Sequence, residues 1–131
     1  MNDRNIDFEK LAHIALGNHA VIPVVAQDAK TGEVLILAYA NKEALHHSFV
    51  HKIATFWSTS RNELWIKGAT SGNFLQIVEI RINCENNALL YRVTPKSKGA
   101  CHTQNKNGHF RKSCFYRILH SPKDWEVDET Y

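Results

Sequence analysis

The residues whose types suit chemistry concentrate in one stretch, residues 56–72, with the sequence FWSTSRNELWIKGATSG. This stretch mixes hydroxyl and cationic side chains with two tryptophans, and it has no helical periodicity. Arginine, lysine and hydroxyl groups bind phosphates, whereas a tryptophan ring offers a flat surface for a base. The pattern is typical either of a binding segment for a small anionic ligand or of a surface hairpin with solvated polar residues. The candidate binding residues are Trp57, Ser58, Ser60, Arg61, Trp65, Lys67 and Ser71.

Three cysteines, Cys84, Cys101 and Cys114, form the second candidate group. Zinc held by three protein ligands keeps a fourth position for water or substrate, which is the arrangement of catalytic zinc sites. The spacings of 17 and 13 residues match no zinc-finger pattern. Three unrelated buried thiols therefore remain an equal alternative on spacing alone. His102 directly follows the second cysteine.

Histidines at positions 46, 47 and 51 form a further cluster in a predicted helix. His47 and His51 are four residues apart and share one helical face. No carboxylate accompanies them, so we interpret all three as solvated surface residues rather than as metal ligands.

The chain has 131 residues, of which 44% are hydrophobic and 22% charged, and this composition fits one globular domain with its own core. A net charge of +3 without a basic run does not indicate a nucleic-acid polymer as partner, and it suits a small anionic ligand. No membrane-spanning run and no signal peptide are recognisable, so no membrane partner is expected. Three cysteines without an export signal predict reduced thiols and a cytoplasmic location.

The elements that must position these residues are mostly strands. The pattern predicts one helix over residues 7–16 and a second, capped by Asn41, that ends near His51, with Ala44, Leu45, Ser48 and Phe49 on its inner face. Strands are predicted over 21–27, 33–39, 55–59, 64–67, 74–83, 88–94 and 114–119. Residues 95–113 form a long polar segment of the kind that is functional or disordered. The predicted fold is a strand-dominated α+β domain with about seven strands and two helices.

Four segments together carry a resemblance to a known family. They are IPVVAQDAKTGEVLILAYANKEAL at 22–45, WSTSRNELWIKGATSG at 57–72, EIRINCENN at 79–87, and the pair ACHT at 100–103 with SCFYRI at 113–118. The chain resembles phosphoribosyl-AMP cyclohydrolase, which opens the adenine ring of 1-(5-phosphoribosyl)-AMP in histidine biosynthesis. The resemblance covers about residues 21–118 of a single domain over 1–131, and residues 119–131 are expected to be a peripheral tail.

The resemblance implies more about architecture and site than the spacing does. It implies a mixed β pseudo-barrel in an intertwined homodimer, with metal sites where the subunits meet. Zinc would then be held by Cys84, Cys101 and Cys114, one of them from the partner subunit. His102 would transfer protons, and Arg111 and Lys112 would stand for a basic pair that binds substrate.

This chain departs from the family pattern at two places. Asn83, Glu85 and Asn87 stand where the family usually has three aspartates proposed to hold magnesium, a hard ion that prefers charged oxygens. We expect magnesium binding here to be lost, weaker, or completed by substrate phosphates. The linker over residues 104–113 is also longer than usual, and it adds His109 as a competing base.

The implied chemistry is an addition of water to C6 of the purine and cleavage of the N1–C6 bond. Zinc would lower the pKa of water, and His102 would take and return protons. A nucleotide deaminase is a rival, but it needs a His-x-Glu and a Pro-Cys-x-x-Cys segment, and the sequence has neither. Two further alternatives are a diverged relative acting on another N1-modified purine nucleotide and a non-catalytic relative that only binds zinc or nucleotide.

Overall fold

The computed structural model describes residues 6–17, 20–97 and 99–131, which contain two helices and eight strands. The helices are α1 (Lys10–Leu16) and α2 (Lys42–His51). The strands are β1 (Ile22–Asp28), β2 (Val34–Ala40), β3 (Thr55–Ser58), β4 (Glu63–Ile66), β5 (Leu75–Ile82), β6 (Leu89–Pro95), β7 (Arg117–Ser121) and β8 (Asp124–Val127). The predicted strand-dominated α+β class is confirmed, with one strand more than expected.

The centre of the domain is a four-stranded sheet in the order β2-β1-β6-β5. β1 runs antiparallel to β2 and parallel to β6, so the sheet is mixed. The turn between β1 and β2 is closed by Asp28, whose carboxylate accepts hydrogen bonds from the backbone N–H groups of Lys30 (2.9 Å) and Thr31 (3.3 Å). Gly32, at φ +80°, then takes a left-handed conformation that favours glycine.

Alternate residues of the central sheet form the core, as the period of two in a strand dictates. Val24, Leu35, Tyr91 and Val93 are fully buried on one face. β3 and β4 form a hairpin whose Phe56 packs into the same core, with its ring centroid 5.6 Å from that of Tyr91. The hairpin is thereby held against the sheet, and its polar turn projects away from the core.

Within the described residues the strands form three sheets, namely the central one and the hairpins β3–β4 and β7–β8, and they do not close into a barrel. The strand expected over residues 114–119 was wrong at its start, because β7 begins only at Arg117. Cys114 instead donates its backbone N–H to Leu35 O at 2.8 Å and lies beside β2. The segment after residue 119, expected to be a peripheral tail, completes β7 and forms β8.

Helix α2 begins as predicted at Asn41, whose side chain accepts a hydrogen bond from the Ala44 N–H at 2.9 Å. Ala44 and Ser48 are fully buried, and the Ser48 hydroxyl accepts a hydrogen bond from the Thr55 N–H at 2.9 Å. Phe49, predicted on the inner face, is 50% exposed, because only the narrow Ala44–Ser48 edge of the helix meets β3.

Helix α1 is shorter than predicted, and none of its residues is buried. Its apolar residues Leu11 and Leu16 are 64% and 83% exposed, whereas Ile14 is partly buried and lines a cavity together with Thr59 and Ser60. Neither helix in those residues is long and apolar enough to cross a membrane.

The histidine cluster lies on α2. The His47 Nδ1 atom is 2.9 Å from the Thr55 hydroxyl oxygen, and its ring centroid is 4.1 Å from that of His51. His46 and His51 are exposed, whereas His47 is half-buried. The His47 and His51 rings therefore pack against each other at an interplanar angle of 37°, and His47 also contacts β3 through Thr55.

Candidate metal and substrate site

The polar segment after β6 folds back on itself and thereby brings two cysteines together. Ala100 donates its N–H to Lys112 O at 3.1 Å, and Cys101 donates to Arg111 O at 2.9 Å. A Cβ at residue 99 would lie 2.3 Å from the Phe110 Cβ, so this crossing requires glycine. Cys101 and Cys114 consequently lie side by side although they are 13 residues apart.

The far end of the same segment is anchored on β2. The Ser113 hydroxyl, which is buried, donates to Val34 O at 2.8 Å, and Cys114 donates its N–H to Leu35 O. Because Leu35 is fully buried in the core, the position of Cys114 is fixed by the central sheet. The thiol pair is therefore held by the most rigid part of the fold.

The two thiols are close enough for Cys101 to act on the pKa of Cys114. Cys101 is 2% exposed, and its Sγ is 2.9 Å from the Thr103 hydroxyl oxygen. Burial, followed by the neighbouring Cys101, raises the pKa of Cys114 to about 12, and the Lys67 charge opposes this rise. Without a cation the Cys114 thiol is thus neutral at physiological pH. A divalent metal bound by both cysteines would convert them to thiolates.

The third cysteine is placed elsewhere. Cys84 lies two residues after the end of β5 and is exposed. No group of three His, Cys, Asp or Glu side chains that could hold a metal ion occurs within residues 6–17, 20–97 and 99–131 of one chain. One chain therefore supplies two adjacent thiols. Thiols are a ligand type that zinc prefers, but two are fewer than the three or four protein ligands of zinc sites.

Lys67 lies beside the thiol pair rather than in solvent. It directly follows β4 and is 4% exposed, and its backbone N–H donates to Ala54 O at 3.2 Å. The next residue, Gly68, has φ +95°, and a Cβ there would lie 2.4 Å from Phe74 N, so the chain turns sharply at this point. Burial lowers the pKa of Lys67, whereas Cys114 and Cys101 oppose that shift.

The turn between β3 and β4 carries the exposed polar residues of the hairpin. The Ser58 hydroxyl accepts hydrogen bonds from the Arg61 backbone N–H at 3.2 Å and from Arg61 Nε at 3.3 Å. The Ser60 hydroxyl oxygen is 3.3 Å from that of Ser58. The only carboxylate paired with Arg61 among the described residues is Glu63 at 3.6 Å, an exposed contact of little strength. This turn can therefore receive an anion.

The two tryptophans take different places. Trp65 pairs with Phe56 across the hairpin, with ring centroids 5.5 Å apart, and packs against the core. Trp57 pairs with Leu64 on the other face of the hairpin, is partly exposed, and directly precedes Ser58. Of the two rings, Trp57 is the one available to a flat base.

Asn73 is a site candidate that the sequence analysis missed. It is 5% exposed; its Oδ1 accepts a hydrogen bond from the Ser97 hydroxyl, and its Nδ2 has no partner among the described residues. The hydroxyl of Ser71, an exposed residue, accepts the Asn73 backbone N–H at 3.2 Å. The available signal was its position directly after Gly72, at the end of the polar stretch.

The two residues of the basic pair also differ. The Arg111 guanidinium carbon lies 4.2 Å from the Tyr116 ring centroid, and its Nε and Nη1 atoms are buried without a hydrogen-bond partner in the described part of the chain. Lys112 Nζ lies 2.9 Å from a Glu33 carboxylate oxygen and 3.4 Å from one of Asp28. Arg111 thus has donors to offer a ligand, whereas Lys112 is engaged by two carboxylates.

We expect Lys112→Met to lower the free energy of unfolding by about 1–2 kcal/mol near neutral pH, because it leaves the buried Asp28 carboxylate without its cation. Burial alone would raise the pKa of Asp28 and of Glu33, but hydrogen bonds, including those from Lys112, hold both pKa values below their usual range. This stabilisation is present above the ordinary carboxylate pKa and is lost as pH falls through the folded-state values.

Urea unfolding of both proteins between pH 7 and pH 3 measures this effect. The difference between wild type and Lys112→Met should shrink below about pH 4. Lys30→Met, in the same turn but exposed, is the matched control and should change stability by less than about 0.5 kcal/mol. A difference that stays constant down to pH 3 would contradict the assignment.

The three residues of the expected magnesium site form a turn. Asn83 Oδ1 accepts backbone N–H groups from Asn87 and Ala88, both at 2.9 Å, and Asn83 Nδ2 donates to Asn87 Oδ1 at 2.6 Å. Asn86 takes the left-handed conformation at φ 59°. The side chains that would have to bind magnesium therefore close the β5–β6 connection, and Glu85 alone carries a charge.

His102 and His109 are both exposed. His102 directly follows the buried Cys101 in sequence, and its own side chain is exposed. His109 belongs to a tight turn in which its N–H donates to Asn105 Oδ1 at 3.1 Å, and Asn105 donates its own N–H to His109 O at 2.8 Å. The longer linker is thus an ordered hairpin turn.

Comparison with known proteins gives these features a context. The family model described as phosphoribosyl-AMP cyclohydrolase matches residues 36–116. A phosphoribosyl-AMP cyclohydrolase from Archaeoglobus fulgidus is 52% identical over 99 residues, which are 76% of this chain and 85% of that protein. One from Desulfatibacillum aliphaticivorans is 42% identical over 124 residues, 95% of this chain and 89% of that protein. A histidine biosynthesis bifunctional protein from Thermus thermophilus is 44% identical over 109 residues, which are 48% of that longer protein.

These matches place the chain among the cyclohydrolases. More narrowly, it belongs to the phosphoribosyl-AMP cyclohydrolase family, and the resemblance that the motifs carried is confirmed. The residues that the family model matches include the β3–β4 hairpin, all three cysteines and His102, whereas α1 and the β7–β8 hairpin lie outside that model's range.

Proposed function

We propose that this protein hydrolyses the N1–C6 bond of 1-(5-phosphoribosyl)-AMP and so opens its adenine ring, giving the formimino-aminoimidazole carboxamide ribonucleotide of histidine biosynthesis. Family membership supports the reaction, and the buried Cys101–Cys114 pair is the observation that carries the metal-dependent mechanism. The protein acts in the cytoplasm, where its free thiols stay reduced.

In this mechanism zinc would be held by Cys101 and Cys114 of one subunit and by Cys84 of the second subunit of a homodimer. An exposed Cys84 and a two-ligand buried site in the same chain support this division. When bound, zinc lowers the pKa of water towards neutrality and so supplies the nucleophile. His102, the exposed neighbour of Cys101 in the sequence, accepts a proton from the attacking water and returns it to the departing N1.

The substrate carries two phosphate groups and one base, and the hairpin offers groups for each. Ser58, Ser60 and Arg61 bind one phosphate at the β3–β4 turn, where their donors are exposed. The unpartnered Arg111 donors suit the other. Trp57 stacks on the purine.

Magnesium does not fit the turn at Asn83, Glu85 and Asn87. Both amide side chains are used to close that turn, and one carboxylate is a poor site for a hard cation. We propose that ring opening here does not depend on magnesium bound at this turn.

The function is tested by following ring opening of phosphoribosyl-AMP by absorbance, with and without a chelator and with added zinc or magnesium. Turnover that a chelator abolishes and zinc restores supports the proposal. Turnover that does not need metal would overturn the mechanism. If the zinc-loaded protein does not open the ring of phosphoribosyl-AMP, it is a non-catalytic relative that only binds zinc or nucleotide.

We expect Arg61→Ala to raise KM for phosphoribosyl-AMP about 10- to 100-fold with little change in kcat, since a charge-assisted hydrogen bond contributes about 1.5–3 kcal/mol. Steady-state kinetics on the zinc-loaded protein measures this split. Arg81→Ala removes an equally exposed arginine that is paired with Glu79 on β5, and it should leave KM unchanged. Equal KM values for the two variants would show that Arg61 does not bind a substrate phosphate.

A further inference from the structure

Helix α1 and the β3–β4 turn form two walls of one cavity. The cavity has a volume of about 330 Å³, a size that holds a small ligand or one end of a larger one. Its lining residues are Asp7, Lys10, His13 and Ile14 on the α1 side and Thr59 and Ser60 in the turn. The cavity therefore joins a segment outside the range of the family model to the turn that offers donors to an anion.

The period of the helix explains which residues of α1 line the cavity. Lys10, His13 and Ile14 stand at positions i, i+3 and i+4, so they share one face. Ile14 is partly buried there, whereas Leu11, which does not line the cavity, is 64% exposed. The helix thus turns its Lys10–His13 face towards the β3–β4 turn.

Most of the polar groups in this cavity can donate hydrogen bonds. Lys10 is cationic, His13 becomes so when protonated, and the hydroxyls of the turn line the opposite wall. No carboxylate forms a salt bridge with Lys10 or His13 in the part of the chain that the structure describes. Cationic and hydroxyl donors on facing walls suit a phosphate group.

The cavity also contains one carboxylate. Asp7 accepts the Glu9 backbone N–H through Oδ1 at 3.0 Å, which leaves its second oxygen for a ligand. A carboxylate repels a bare phosphate ion, but it accepts a hydrogen bond from a sugar hydroxyl. The lining therefore favours a phosphorylated sugar over inorganic phosphate.

We propose that α1 is part of the substrate site: the cavity holds one phosphorylated ribose of phosphoribosyl-AMP, whose phosphate is bound by Lys10 and His13 and whose hydroxyl is accepted by Asp7. Ser60, on the opposite wall, binds the same phosphate. This inference rests on the proposed function for the identity of the substrate.

The decisive variant is Lys10→Met, which keeps most of the length of the side chain and removes its charge. Steady-state kinetics should show KM for phosphoribosyl-AMP raised about 10-fold with kcat unchanged, the low end for a charge-assisted hydrogen bond because Lys10 is exposed. His13→Gln should raise KM about 3-fold, since His13 is only partly protonated near neutral pH. Ribose 5-phosphate should bind to the wild type and about 10-fold more weakly to Lys10→Met. Isothermal titration calorimetry measures this binding without turnover.

Three comparisons make the result specific. Lys10→Arg keeps the charge and should recover most of the affinity. Lys30→Met removes an exposed lysine from the β1–β2 turn and should leave KM unchanged. Lys10→Met combined with Ser60→Ala should cost less than the sum of the two single changes, because both groups bind one phosphate. Strict additivity would contradict a shared phosphate.

The remaining outcomes separate the inference from the proposed function. Ring opening by the wild type with an unchanged KM in Lys10→Met would overturn the inference and leave the function intact. A wild type that does not open the ring, yet binds ribose 5-phosphate through Lys10, would support the sugar-phosphate cavity and overturn the function. Equal affinity for ribose 5-phosphate and inorganic phosphate would show that Asp7 does not accept a sugar hydroxyl.

Discussion

Mixing two inactive cysteine variants is expected to restore activity. Cys84→Ser and Cys114→Ser should each fall to background, because in the proposed homodimer each removes one of three thiolates from both proposed zinc sites. In a heterodimer of the two, one site combines the intact Cys101–Cys114 pair of the first subunit with the intact Cys84 of the second. That site should hold zinc and turn over, whereas the other lacks two ligands.

The expected recovery follows from the symmetry. Unfolding and refolding an equal mixture gives half heterodimers, and each has one working site of two, so about a quarter of wild-type activity and zinc content should return. The separation of Cys84 from the other two cysteines within one chain makes this outcome specific to a shared site.

The matched control combines Cys101→Ser with Cys114→Ser. These cysteines belong to the same buried pair, so no heterodimer contains an intact site, and the mixture should stay inactive. Activity in this control, or none in the first mixture despite heterodimer formation by native mass spectrometry, would contradict a zinc site shared between subunits.

Local chemistry was enough to predict much of the fold. Asn41 as the cap of α2, the Asp28–Gly32 turn and the alternating strands β1 and β2 were all recognisable, because capping, turn conformation and strand period depend on neighbours in sequence. Phe49 was misplaced for the opposite reason: how much of a helix face is covered depends on what lies across from it.

The site was less predictable than the fold for the same reason. Cys101 and Cys114 meet only because residues 99–112 cross at Gly99 and Phe110 and Cys114 then bonds to β2, contacts that no spacing rule encodes. Lys67 is predicted to bind phosphate as part of a polar stretch, and nothing in the sequence indicated that its side chain is buried or that thiols 34 and 47 residues away would affect its pKa. The chemical role that each residue type can play could be predicted from the sequence. Which of these residues lie close together depends on contacts between distant parts of the chain.

The second large effect is expected at His102. His102→Ala should lower kcat about 10²- to 10⁴-fold, the usual loss when a general acid–base group is removed. Zinc content should be unchanged, because the exposed ring of His102 lies outside the buried thiol pair. Single-turnover kinetics together with metal analysis of the same preparations measures both quantities.

His109→Ala is the matched control, since it removes another exposed histidine from the same segment, one whose backbone atoms alone are held in the Asn105 turn. It should retain near wild-type kcat. If His109→Ala carries the loss and His102→Ala does not, the longer linker has taken over proton transfer. If His102→Ala loses zinc along with activity, His102 is a ligand, and the open position that the mechanism requires for water is occupied by its imidazole.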